Sequence, residues 1–153
     1  MLWKDIEKLK SVEVVRPADF VMAGNSEFSI WNTNSGNKFD YKIRRVEGSA
    51  NHFVKVYING EWVYAGFLTR RGAKIEYIQG KKGKLSIDSP PIKGILYALR
   101  FNDGPLPMPM CMTHHGKCGR CGRKLKDAES VSRGFGPDCW QMVLGSKSAA
   151  GMW

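Results

Sequence analysis

The chain has 153 residues and a mass of 17.2 kDa, with 42% hydrophobic and 25% charged residues. That is the length of one domain able to remove about 70% of its unfolded surface from water. The composition excludes a wholly disordered chain, and no apolar run approaches the ~20 residues of a membrane-spanning helix. Twenty-four Lys and Arg against fourteen Asp and Glu leave a net charge of +10, and residues 69–93 and 105–153 carry nine of those ten charges.

The opening Met1-Leu2-Trp3-Lys4-Asp5-Ile6-Glu7-Lys8 spreads charges through the stretch that a secretory signal needs apolar, which predicts a cytoplasmic protein. Leu2, Ile6 and Leu9 recur at helical spacing, and Pro17-Ala18-Asp19-Phe20-Val21-Met22 opens a second short turn that Gly24-Asn25 ends. From Glu27 the period changes to two. Phe28 and Ile30 mark one strand, Asn34-Ser35-Gly36-Asn37 a turn, and Phe39, Tyr41 and Ile43 alternate with Lys38, Asp40, Lys42 and Arg44 in a second strand. His52–Ile58 and Glu61–Leu68 flank Asn59-Gly60, two residues that tolerate positive φ, and so predict a tight hairpin. Arg70-Arg71-Gly72 turns the chain into Lys74–Ile78, and a Gly/Lys loop at 80–84 leads to a short strand at Leu85–Ile87.

Ile92, Ile95, Leu96 and Leu99 then share one face of a helix near 91–103, with Asn102-Asp103-Gly104 as its stop. Pro105-Leu106-Pro107-Met108-Pro109 reads as an extended linker. The expected fold is α+β: an antiparallel meander of five or six strands with a covering helix over 1–104. A small zinc-knuckle, treble-clef-like module follows over 105–145, and a flexible tail over 146–153.

All four cysteines lie between 111 and 139, too few and too clustered for a disulfide scaffold, so metal binding is the better reading. Cys118 and Cys121, two residues apart, can grip one ion from a tight knuckle in which the small Gly119 and Gly122 let backbone amides turn toward the thiolates. Cys139 follows Gly136-Pro137, which starts a helix and places its sulfur where the positive end of the dipole favours thiolate. A tetrahedral structural zinc takes a fourth ligand, for which the spacing leaves His114, His115 and Cys111.

Two other chemistries compete. The Cys118-Gly119-Arg120-Cys121 spacing is that of thioredoxin-like dithiols, but those follow a strand in a βαβ unit, whereas a Pro-rich run and two histidines precede this pair. A catalytic zinc keeps an open position beside a general base, whereas this segment has enough ligands to close the shell and only Asp127, Glu129 and Asp138 as nearby carboxylates. The residues therefore point to structural Zn2+.

The run His114-x3-Cys118-Gly119-x-Cys121-Gly122-Arg123-x-Leu125, with Ser130 and then Gly134-x-Gly136-Pro137-x-Cys139, resembles the C-terminal module of a family of uncharacterised phage and prophage proteins. A looser likeness runs through Phe28–Asn32, Ser35-Gly36, Tyr41–Arg44 and Tyr64–Phe67, so that the resemblance covers residues 27–140 or so. It implies phage origin and zinc held by His114, Cys118, Cys121 and Cys139, and it brings no activity with it.

Lys117, Arg120, Arg123, Lys124, Lys126 and Arg133 surround the knuckle, where they either balance the thiolates or present a basic face to phosphates, together with Arg70, Arg71, Lys81, Lys82 and Lys84. Tyr57, Trp62, Tyr64 and Tyr77 on strands either stack unpaired bases or fill the core. No nucleophile–base pair, phosphate loop or carboxylate dyad marks an enzyme. The expectation is a small, non-catalytic, phage-type zinc protein of the host cytoplasm that binds nucleic acid or its processing machinery. The alternative is a module that docks on an acidic host or phage protein and inhibits a defence or polymerase component.

Overall fold

A computed structural model of the protein describes residues 12–81 and 85–151, with side chains through residue 144. The helix expected over residues 2–10, Lys82 and Lys84 lie outside the described residues. The alternating segments pair into one antiparallel sheet of seven strands: β1 (Val12–Glu13), β2 (Asn25–Asn32), β3 (Lys38–Arg45), β4 (Asn51–Ile58), β5 (Glu61–Arg71), β6 (Lys74–Gln79) and β7 (Met110–His114). Their spatial order is β1-β7-β2-β3-β4-β5-β6. Among the described residues four helices accompany the sheet: α1 (Pro17–Val21), α2 (Pro90–Ala98), α3 (Ala128–Arg133) and α4 (Pro137–Gly151). The fold is α+β, as expected.

The strongest local signal is realised as read. Asn59 and Gly60 both take positive φ, 51° and 85°, and bring Tyr57 opposite Trp62 in the β4–β5 hairpin. Because side chains alternate across a strand, Tyr41, Ile43, Val54, Val56 and Leu68 are buried on the inner face, while Lys42, Arg44, Phe53, Lys55 and Tyr57 stand on the outer one. Helix α2 lays Ile92, Ile95 and Ala98 on the inner face, and the Tyr41 hydroxyl donates to the Pro91 carbonyl at 2.8 Å. Ile92 and Ile95 each contribute roughly 1.5–3 kcal/mol by leaving water. α2 stops at Ala98, short of 103, because the following backbone is recruited by α1: the Phe101 carbonyl accepts from Ala18 N and the Asn102 side chain from Asp19 N.

Three expectations need correction. Leu85–Ile87 is not a strand; the Leu85 carbonyl instead accepts from the buried Tyr77 hydroxyl at 2.7 Å. The extended reading of the Pro-rich run gives way at Met110 to β7, which enters the sheet between β1 and β2 and pairs Met112 with Ile30 and His114 with Phe28. The division at residue 104 is therefore not a break in the sheet, nor in the core. Met112, Cys118, Leu125, Phe135 and Cys139 belong to the same cluster of buried side chains as Val54 and Leu68. Helix α4 also continues to Gly151 through the segment expected as a tail, where Lys147, Ala149 and Ala150 are good helix formers.

Candidate metal centre

Phe20, fully buried at the end of α1, is the floor of the cysteine module. Its ring lies 5.7 Å from those of His114 and Phe135 and 6.1 Å from that of Phe28. The knuckle sits directly on it, and the fit requires glycine: a Cβ on Gly119 would come within 2.7 Å of the Phe20 ring. The backbone of the knuckle is anchored on both sides, with Asn25 N donating to Gly119 O at 2.9 Å and Gly119 N to Gly134 O at 3.0 Å.

Within the knuckle, Cys118 N donates to Arg123 O, Gly122 N donates to Cys118 O, and Lys117 pairs with Lys124 in a single antiparallel bridge. Asp127 caps α3 by accepting from Ser130 N at 3.0 Å, and Pro137 opens α4 so that Cys139 falls in its first turn.

The result is that the sulfurs of Cys118, Cys121 and Cys139 all lie within 4.8 Å of one another, and none is in a disulfide. Bonds of about 2.3 Å at tetrahedral angles would set sulfurs about 3.8 Å apart, so a small contraction closes the three around one ion. The cluster is able to hold a metal ion. Burial opposes ionisation of Cys118, but the amides of Cys121, Gly136 and Arg120 donate to its sulfur and together hold its pKa below the ordinary thiol value. Cys139 is pushed up to about 11, first by burial and then by the adjacent Cys118. Only the Arg120 guanidinium, 3.7 Å from its sulfur, works the other way. Sulfurs gathered this closely repel as thiolates, a conflict that a bound cation removes.

His114, expected as the fourth ligand, does not join the three sulfurs in this structure. The Val131 carbonyl, 2.7 Å from Nε2, requires a proton there, and Nδ1 accepts the Gly116 amide at 3.0 Å. Both ring nitrogens are thereby committed. The ring is fully buried, stacked on Phe20, and burial lowers its pKa, so it is a neutral structural bridge between β7 and α3. His115 and Cys111 do not join the cluster either. His115 Nε2 lies 2.8 Å from the Ser29 hydroxyl, and Cys111 Sγ lies 3.8 Å from Glu13 Oε1. Among the described residues the cluster is Cys118, Cys121 and Cys139 alone. It borders a groove of about 400 Å3 that Arg123, Lys124, Lys126, Asp127 and Asp138 also line.

The cations expected around the knuckle divide into two groups. Lys117 pairs with Glu27 at 3.5 Å, Arg133 pairs with Glu129, and Arg120 faces Cys139. Arg123, Lys124 and Lys126 are exposed. Strand register adds others: Asn25, bonded to the knuckle, stands opposite Arg44, and Arg45, Arg70, Arg71 and Lys74 follow at the same end of β3, β5 and β6. Arg45 and Arg70 both bear on His52 between them. Lys81 follows β6 at its other end and does not belong to this rim.

Sequence reading missed Phe20 and Asn25, which dock the knuckle, and the capping role of Asp127. Only the last had a local signal, an Asp three residues before Ser130 at a helix start.

Residues 112–143 match a family of unknown function, DUF6011. No curated protein and no solved structure matches the chain.

Proposed function

We propose that this is a small, non-catalytic zinc protein of phage type that binds nucleic acid through the basic rim around its knuckle. The observation that carries the reading is the convergence at one end of the sheet. The exposed Arg123, Lys124 and Lys126 stand beside the cysteine cluster, and Arg44, Arg45, Arg70 and Lys74 lie across the adjoining strand ends. A row of exposed cations on rigid elements suits a polyanion, whose condensed counterions are released on contact.

Cys118, Cys121 and Cys139 would hold the zinc, which would supply a structural clamp between the knuckle and α4. The non-catalytic reading is supported by His114, whose two ring nitrogens are both committed and leave none with which to move a proton.

Titration with duplex DNA at several salt concentrations tests the proposal. The logarithm of the association constant should fall linearly with the logarithm of salt. Joint replacement Arg123→Ala, Lys124→Ala and Lys126→Ala should reduce that slope by up to about 0.9 per lost contact, with zinc content unchanged. Equal binding and slope in parent and variant would remove the knuckle from the interface. No binding at low salt, with capture by an acidic protein instead, would favour the inhibitory docking module.

A further inference from the structure

The sheet has a second surface that the knuckle does not use. On the outer face of β3, β4 and β5, Phe53, Tyr57 and Trp62 are 44%, 43% and 37% exposed, among the most open large apolar side chains of the described chain. They form two ring pairs: Tyr57 with Trp62 at 5.2 Å, and Phe53 with Tyr64 at 5.7 Å, both edge to face. Each pair links β4 to β5, and Lys55 stands on β4 between them, opposite Tyr64. Phe53 and Tyr57 are four residues apart, about 13 Å along the strand. Lys42 lies opposite Lys55, and its ammonium rests 4.3 Å from the centre of the Trp62 ring. Of the acidic groups beside them, Glu27 pairs with Lys117, and Asp40, opposite Tyr57, accepts the Ser29 hydroxyl on the side of β2. Tyr77, the remaining aromatic considered for stacking, is buried on the inner face with its hydroxyl on the Ala65 and Leu85 carbonyls.

We infer that this outer face binds single-stranded nucleic acid, with bases stacked on the Tyr57–Trp62 and Phe53–Tyr64 platforms and the intervening phosphates held by Lys42 and Lys55. The inference rests on the reading that the partner is nucleic acid, and names its strandedness and a second contact surface. Charge complementarity selects the occupant. An apolar protein partner would have to desolvate Lys42 and Lys55 among the rings, whereas a single strand offers an anion for each cation and a π-face for each ring. Duplex bases are already stacked on each other and cannot use the platforms.

The test is a titration of labelled oligothymidylate, and of a duplex of equal length, with the intact zinc-loaded protein and with a Tyr57→Ala, Trp62→Ala variant. The expected result is tighter binding of the single strand by the parent and a loss of at least about tenfold in the variant, with little change in salt slope. Lys42→Gln with Lys55→Gln should lower that slope by up to about 0.7 per cation. Thermal unfolding controls the fold. If the alanine variant melts early, Tyr57→Leu with Trp62→Leu keeps apolar bulk without stacking and should show the same loss. Unchanged single-strand affinity in the ring variants, or equally effective competition by polyglutamate, overturns the inference. If the parent binds duplex and loses it only on replacement of Arg123, Lys124 and Lys126, the outer face fails while the basic rim stands. If it binds neither nucleic acid, both fail.

Discussion

The β4–β5 hairpin and the cysteine knuckle are both tight reversals built on glycine, yet they are held by different means. The hairpin carries a ladder of pairs from Asn51–Thr69 to Ile58–Glu61 and needs nothing beyond its own backbone and the side chains beneath it. The knuckle has one bridge, Lys117–Lys124, two backbone bonds inside the turn, and three sulfurs that repel as thiolates. On the zinc proposal, what the ladder gives the hairpin, a metal and the Phe20 floor would give the knuckle. The contrast teaches where a small domain can place exposed chemistry: on a surface stiffened by pairing, or on a turn stiffened by coordination.

If the cluster holds zinc as proposed, removing the ion breaks this comparison most sharply. Structural zinc is worth about 10–16 kcal/mol in finger-sized peptides, as much as the whole stability of a domain. Strong chelation, or Cys121→Ser, should therefore abolish metal content and strip amide protection from the knuckle and α3, and weaken it in β7, while the β4–β5 ladder stays protected in hydrogen exchange. Cys121 is exposed, so its replacement leaves no cavity and reports on the metal. Uniform loss of protection over all seven strands would erase the distinction between the two regions.

Phe20→Ala should cost about 3–5 kcal/mol in denaturant unfolding, since it empties the space shared by Phe28, His114, Phe135 and the knuckle. The variant should also bind zinc more weakly, because the floor under Gly119 is gone. A variant that lost stability with zinc affinity unchanged would show that coordination alone organises the knuckle.

The smallest effect concerns His52, which sits on β4 and reaches the Met22 carbonyl at the end of α1, joining the paired region to the coordinated one. Burial lowers its pKa, aided by Arg45 and Arg70 against the pull of the Ala50 and Met22 carbonyls. A histidine whose pKa is lower folded than unfolded binds more protons unfolded. Its contribution is therefore intact above its ordinary value of 6.5 and declines as the pH falls through and below it. Melting temperatures of the parent should drop between pH 7 and pH 5, and those of His52→Gln should drop less; equal drops would assign the acid sensitivity elsewhere.

Legibility in the sequence follows the same division. Asn59-Gly60 and the alternation around it are local facts, and the β3–β5 meander could be read from them. The three cysteines were legible because knuckle and helix-start geometry are also local. His114 was not, since a residue four positions before Cys118 has the same spacing whether it meets a metal or the Val131 carbonyl, and the choice depends on where α3 packs. β7 escaped because Met110-Cys111-Met112-Thr113 has no charged alternation and only Thr113 is β-branched, and its partners on β2 lie some eighty residues earlier. The outer aromatic face was half visible: Tyr57 and Trp62 were flagged, but telling them from Tyr77 required knowing which side of the sheet is covered.

The position of β7 has a consequence for the order in which the molecule can be made. During synthesis β2 emerges long before its neighbour, and until Met110–His114 leaves the ribosome, its free edge can pair with another chain. Sheet completion waits for contacts of high sequence separation, which are slow to form. Translation that halts after α2 would release a product with Phe28 and Ile30 on an open template, prone to intermolecular pairing. A chain that reaches His114 closes that edge with the strand that leads into its cysteines.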